Sequence, residues 1–380
     1  MKRREFLQVG AATALCVGAA TVSPAHGAPG SLNAPAPAAL VKALPKVELH
    51  AHLEGTVRPA TFAELARKNN IKLPVNDVNK LFAFKNLDEF LNVFHLIMQS
   101  LVTSDDYRRV TYESLQDAVT AGVRYREMFF SPGFRLNEGQ SIDVIWEGIR
   151  QGVADAQADL DIRCRMILDV DKPSGPEKAM EMVEFAARQD RNVLIGIGGD
   201  SVEQGIDHHA FAPAFQRAAM LGLHRTIHAG EDGPPTTIRI ALDELGCQRI
   251  DHGVTLLEDP ALTEQVVAER IPLTVCPLSN VLIANVVPDV AHHPIREQRA
   301  RGVLATVNSD DPAMTATSVA DDYVAVSKAF GWTVPEMEQI SLDGIEACWA
   351  PDDERAALTE RFEREFNALR SRYGLPARTA

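Results

Sequence analysis

From Val41 onward, short apolar runs of strand length alternate with longer stretches in which apolar residues recur at helical spacing. The runs are Val47–His50, Val123–Phe130, Arg163–Asp169, Val193–Gly198, Arg225–His228, Arg249–Asp251, Leu273–Cys276 and Val303–Val307. Between them lie amphipathic segments such as Glu177–Gln189 and Pro234–Leu245. Strands that alternate with helices predict a parallel sheet in an α/β fold. Eight such units predict a single (β/α)8 TIM barrel. A doubly wound open sheet is the competing architecture, and it rarely reaches eight regular repeats. The gap from Leu53 to Gly122 breaks the rhythm with helical segments at Pro59–Asn69 and Leu87–Thr103. It reads as a helical insertion after the first strand, placed as a lid over the barrel mouth. The tail from Val334 to Tyr373 is expected to be helical and to close the last repeat, so the barrel domain spans residues 44–373.

The first residues carry a different pattern. Arg3-Arg4 is followed by Phe6-Leu7, a mildly apolar Ala/Gly-rich stretch from Val9 to Val22, and small residues near Ala25 to Ala28. This reads as a twin-arginine export signal over residues 1–28, with residues 29–43 as a flexible linker. It implies a periplasmic or extracellular protein carried across the membrane already folded. The apolar stretch is short for a spanning helix, so no integral membrane anchor is expected.

Composition narrows the partners. Apolar residues are 46% of the 380, enough for a large core. The 52 acidic residues outnumber the 38 Lys and Arg, a formal net charge of −14. Such a surface repels phosphate backbones and anionic lipid, so a nucleic-acid partner is not expected. The five cysteines form no C-x-x-C pair, which supports neither a disulfide framework nor a Cys-rich zinc module.

The chemistry-bearing residues fall at strand ends, where barrels place their catalytic groups. The first run ends in His50-Ala51-His52, the fifth in His228-Ala229-Gly230-Glu231, the sixth in Asp251-His252-Gly253, and the eighth in Asn308-Ser309-Asp310-Asp311. A lone histidine at a strand end is more often structural, but four coincident ends argue for a site. Residues two apart on a strand share a face, so His50 and His52 form a bidentate metal site that His228 and Asp310 can complete. Three imidazoles and a carboxylate suit zinc better than calcium or magnesium, although spacing alone leaves iron, cobalt and manganese open. His208-His209 and His292-His293 read as solvated pairs, and His95 as a lid or core residue. At the fourth strand, Gly196-Ile197-Gly198-Gly199-Asp200 offers Asp200 alone as a second-metal ligand, which favours one catalytic metal per chain.

Five motifs together resemble the adenosine deaminase family. They are Lys46-Val47-Glu48-Leu49-His50-Ala51-His52-Leu53-Glu54-Gly55, His228-Ala229-Gly230-Glu231, Arg249-Ile250-Asp251-His252-Gly253, Cys276-Pro277-Leu278-Ser279-Asn280 and Asn308-Ser309-Asp310-Asp311-Pro312. The resemblance spans about Leu44 to Phe366. It implies zinc-dependent hydrolytic deamination of a 6-aminopurine base or nucleoside, with ammonia released. Carried over residue by residue, it implies His50, His52, His228 and Asp310 as zinc ligands and Glu231 as proton shuttle to the ring. His252 would position the zinc-bound water and help deprotonate it. Asp311 and the backbone of Gly199 would bind ring nitrogens, His52 would also face the substrate, and Glu54 would lie near the sugar or purine surroundings.

Two departures leave the substrate open. Asp251 before His252, and the run Glu231-Asp232-Gly233-Pro234-Pro235, look like the adenine deaminase branch. By contrast Glu127-Met128-Phe129-Phe130-Ser131-Pro132 is not that branch's usual continuation. Adenine, adenosine and N6-substituted adenines all remain. The rivals are another mononuclear or binuclear barrel amidohydrolase, which a metal-bridging Asp200 would favour, and an exported binding protein without catalysis. The second predicts erosion of the constellation, yet Glu231, His252 and Asp310 are all present.

Overall fold

The computed structural model of the chain describes residues 31–84 and 87–378. The export signal expected over residues 1–28 lies outside the described residues. Strands β1 (Lys46–Glu48), β2 (Val123–Phe130), β3 (Arg163–Asp171) and β4 (Leu194–Asp200) pair in parallel and in chain order, and β5 (His224–Arg225) joins β4. A second parallel series holds β6 (His228–Ala229), β7 (Ile250–His252), β8 (Leu273–Val275) and β9 (Ala305–Val307).

The run expected at Arg225–His228 is thus two half-strands. Thr226 N still donates to Ile197 O on the β4 side (3.1 Å), while Asp251 N in β7 donates to Ile227 O (3.0 Å). One stretch of chain therefore pairs backward with its first half and forward with its second. The circle closes between the last strand and the first. Asp310 N donates to His50 O (3.1 Å) and His52 N to Asp310 O (2.9 Å), which makes a parallel bridge between Ala51 and Asp310. The result is the (β/α)8 barrel.

The strands are buried along almost their whole length, as a parallel sheet covered by helices requires. Polar side chains inside this core are matched in pairs. Arg126 meets Glu48 at 2.8 Å, and Arg249 meets Glu127 at 2.5 Å while lying over the Trp349 ring at 3.9 Å. Such pairs matter as sets, because removing one member leaves a buried unpaired charge.

Helices follow the strands as an outer ring. The first of them, Ser104–Thr120, packs on Ile142–Asp159 through Gly148, where a Cβ would lie 2.2 Å from Ser104 O. The insertion after β1 places Pro59–Lys68 and Leu87–Ser100 ahead of that ring helix. The helix expected to run to Thr103 stops at Ser100, because Thr103 caps the next one in a capping box with Asp106. The tail forms Val334–Ala347, which packs on β9 and β1, and Asp352–Arg372.

The flexible linker expected over residues 29–43 is corrected by the structure. Pro35 bridges to Thr333, and Ala38–Ala43 is a helix with Leu40 and Val41 fully buried. A Pro/Ala-rich composition hid two apolar anchors. Among the described residues, no helix is long and apolar enough to cross a membrane.

Candidate active site

Four side chains from three places on the barrel rim converge. Asp310 Oδ1 lies 3.1 Å from His50 Nε2 and 3.2 Å from His52 Nε2, and His52 Nε2 lies 3.2 Å from His228 Nε2. All four are buried. The hydrogen-bond partners of the opposite ring nitrogens fix what these atoms present. His228 Nδ1 donates to Gly199 O (3.0 Å), so Nε2 carries the lone pair. Thr274 Oγ1 gives its hydrogen to Asp251 Oδ1 (2.7 Å), so it accepts from His50 Nδ1 (3.0 Å) and frees His50 Nε2. His52 Nδ1 faces Asp169 Oδ2 at 3.5 Å. Two ring lone pairs, from His50 and His228, and a carboxylate aimed at one point beside His52 Nε2 repel each other unless a cation or proton sits among them. His50 Nε2 indeed finds no hydrogen-bond partner among the described residues. The donor set fits a zinc-type ion, with the outer partners that orient metal-binding histidines already in place. Asp310 is in the left-handed region (φ 66°), as is His252 (φ 66°). Strain of that kind in non-glycine residues gathers at functional sites.

Burial would push the Asp310 carboxyl up, but the adjoining His50 and His52 overcome this and hold it well below the usual range. Its Oδ2 accepts from Ser279 Oγ (2.6 Å). Its neighbours move the other way. Burial, then the charge of Asp310, pushes both Glu231 and Asp311 well above the ordinary carboxyl value. Both acids are thereby biased toward the protonated form. Burial and the neighbouring His50 hold His252 well below its usual value, so this ring is neutral. Gly55 lets Asp311 in: a Cβ there would lie 1.7 Å from Asp311 Oδ1.

A cavity opens above these groups. His52, His228, Glu231, His252, Asp310 and Asp311 form its floor. The insertion helix Leu87–Ser100 covers it with Phe90, Leu91, Phe94, His95 and Met98. His95 stacks on Phe134 at 4.1 Å between ring centres, as a lid residue should. Asp171, Asp200 and Asp232 make the mouth acidic, and no Lys or Arg lines the cavity among the described residues.

Two expected substrate residues stand farther back. Gly199 does not line the cavity; its carbonyl orients His228, and the next residues, Asp200 to Val202, form the wall. Glu54 is buried behind the wall, where its Oε1 accepts from Ser131 N (3.1 Å) and burial raises it to about 7. Asp200, expected as the lone acid of its strand, has company. It sits within reach of His52 and Asp169, and it takes the hydroxyl of Ser131. Burial raises Asp200 to about 6 and lifts Asp169 well above the carboxyl range.

The structure also supplies residues that the sequence pattern did not single out. Glu203 accepts from the backbone N–H groups of Gly230 (2.8 Å), Glu231 (2.8 Å) and Asp232 (3.3 Å), so it holds the turn that carries Glu231. Lys172 Nζ, buried, donates to His228 O (3.2 Å). Of the histidine pairs expected to be solvated, His209 and His292 are exposed, but His208 and His293 are buried. His293 reaches inward to Asn280, and His208 packs with its Nδ1 near Ile206 O (3.1 Å).

The adenosine deaminase family model matches residues 45–365. An adenine deaminase of Streptomyces coelicolor is 38% identical over 331 residues, 86% of this chain and 96% of that protein. The crystal structure of an adenine deaminase from Arthrobacter aurescens superposes with a TM-score of 0.81 at 34% identity, covering 85% of this chain and 99% of the other. A crystal structure of an amidohydrolase from Burkhoderia ambifaria, with bound zinc, also gives 0.81 at 31% identity, covering 91% and 99%.

Proposed function

Because this chain belongs to the adenosine deaminase family and is a metal-dependent deaminase-type hydrolase, we propose that it hydrolyses the 6-amino group of adenine, using one zinc ion. The observation that carries the reading is the convergence of His50, His52, His228 and Asp310 beneath a protonated Glu231 in an acidic, lidded cavity. A zinc ion at this cluster supplies a Lewis acid that brings the pKa of a coordinated water from near 16 to about 7. The chain's own residues do the rest. Glu231 donates its proton to the ring nitrogen beside carbon 6, where negative charge develops as the new C–O bond forms. The bond between carbon 6 and the amino nitrogen then breaks. The nitrogen leaves as ammonia with the proton given up by the attacking water, while the new hydroxyl becomes a carbonyl and its proton restores Glu231. Asp311 donates its hydrogen to a second ring nitrogen and fixes the base in register. Phe90, Phe94 and Phe134 exclude water above the ring.

Relatives and cavity together select among the purines. The Streptomyces coelicolor and Arthrobacter aurescens proteins to which the chain is similar are adenine deaminases, which favours the free base. The mouth offers three carboxylates and no cation among the described residues, so a 5′-phosphate meets only like charge there. Support for a single metal comes from His52, whose Nε2 is committed to the first cluster. Burial raises Asp169 and Asp200, which disfavours the ionised form that a second ion would need. The Arg3-Arg4 pattern supports export by the twin-arginine route to the periplasm or beyond.

The test is an ultraviolet assay of the purified protein on adenine, adenosine, adenosine 5′-monophosphate and an N6-methylated adenine, with metal analysis alongside. Expected are turnover of adenine, none of the monophosphate, and about one zinc per chain. An unchanged adenine spectrum, or two tightly held metals, would overturn the reading.

A further inference from the structure

Asn280 lies on the short helix Pro277–Leu282 and is fully buried. Its amide meets three polar groups. Oδ1 is 3.1 Å from His293 Nε2, while Nδ2 is 2.9 Å from Glu231 Oε1 and 3.2 Å from His252 Nδ1. A backbone hydrogen beyond His293 decides which end of the amide faces which group. Ile295 N lies 3.1 Å from His293 Nδ1, and a backbone N–H can only donate. His293 Nδ1 is therefore a lone pair, and the ring hydrogen is on Nε2. Burial pushes this imidazole down to about 4, so it stays neutral. The Asn280 atom that faces this N–H must be its carbonyl oxygen. Both amide hydrogens then point the other way, one at Glu231 and one at His252.

We propose that Asn280, oriented by His293, is the positioning residue that sets where Glu231 and His252 carry their hydrogens, on Glu231 Oε2 and on His252 Nε2. With Oε1 occupied as an acceptor, the acid hydrogen of Glu231 belongs to Oε2. With Nδ1 of His252 occupied by a donor, the ring hydrogen is on Nε2. That atom lies 4.0 Å from Asp310 Oδ2 and has no hydrogen-bond partner among the described residues. His252 thus faces the reacting centre as a hydrogen-bond donor, where the family resemblance implies a group that helps remove a proton. The arrangement is a chain of four fixed choices: a backbone N–H sets the His293 tautomer, which sets the Asn280 amide, which sets Glu231 and His252 together.

The kinetic side of this inference rests on the deaminase reading; the tautomer side does not. Zinc-loaded protein carrying 15N-histidine gives imidazole nitrogen and carbon-bound proton correlations that report each ring's tautomer. The two rings are assigned by the signals lost in His252→Gln and His293→Gln. Expected is the Nε2–H form for both His252 and His293, and loss of the single form at His252 in Asn280→Leu. On adenine, His293→Leu should lower kcat roughly 10- to 100-fold, the usual cost of an outer-shell partner, with KM and zinc content little changed. His293→Gln, which keeps a donor near the Nε2 position, should restore most of kcat. An Nδ1–H tautomer at His252 in the parent protein, or parental kcat in His293→Leu, would overturn the proposal. A protein inactive on adenine would sink the functional reading while the spectra still decide the tautomers.

Discussion

Glu231 has two duties that conflict in water: to keep a proton at neutral pH and to surrender it to a weakly basic ring nitrogen. Burial and the charge of Asp310 resolve the conflict by raising the acid. Glu231→Gln keeps the shape and the contact with Asn280 but has no proton to give. Its kcat should fall roughly 10²- to 10⁴-fold, with zinc content and melting temperature near parental, as steady-state kinetics, elemental analysis and thermal melts would show. A less stable variant with parental kcat would make Glu231 a structural carboxylate. At this scale the sequence exposed the ligands because they lie on strand ends: His50-Ala51-His52 is a two-residue spacing on one face, and Asp310 follows an apolar run. It concealed the roles of Asn280, His293, Glu203 and Asp169, which come from what the fold brings against them. His293 sits before a proline in a polar stretch, which looks solvated, and only the packing around residue 280 turns it inward.

Elements show the same division. Runs that are apolar on both faces gave the eight strand positions, because a covered parallel strand has no polar face to hide. The break between β5 and β6 was not legible, since it reflects which neighbour each half pairs with. The insertion after the first strand was legible as helical and as a lid. Its aromatic side chains are the main apolar cover of the cavity, and Phe94 is buried there. Phe94→Ala removes about 1–2 kcal/mol of apolar contact with a bound base. KM for adenine should therefore rise roughly 5- to 30-fold while kcat changes much less, because that contact is the same in the ground and transition states. Equal falls in kcat and kcat/KM at constant KM would instead place the helix in the chemical step.

The molecule as a whole is acidic, with a formal net charge of −14, and Asp171, Asp200 and Asp232 line its cavity. The proposed export is tested by Arg3→Lys with Arg4→Lys, which should leave the precursor inside, folded and active, when fractions are compared by immunoblot and assay. Unchanged export of the double variant would discard the twin-arginine route. The closure of the barrel bears on timing. Leu49 N is bonded to Asn308 Oδ1, 259 positions later, and His50 and Asp310 meet across the same seam. At roughly 5–20 residues per second, the first two metal ligands emerge from the ribosome about 13–52 s before the last one. Until then His50 and His52 belong to an unpaired first strand, and no earlier fragment of the chain can own the complete site. Tight metal retention would therefore mark a chain extended past Asp310, and a carrier that accepts only folded cargo would in effect be accepting only molecules already able to hold a metal.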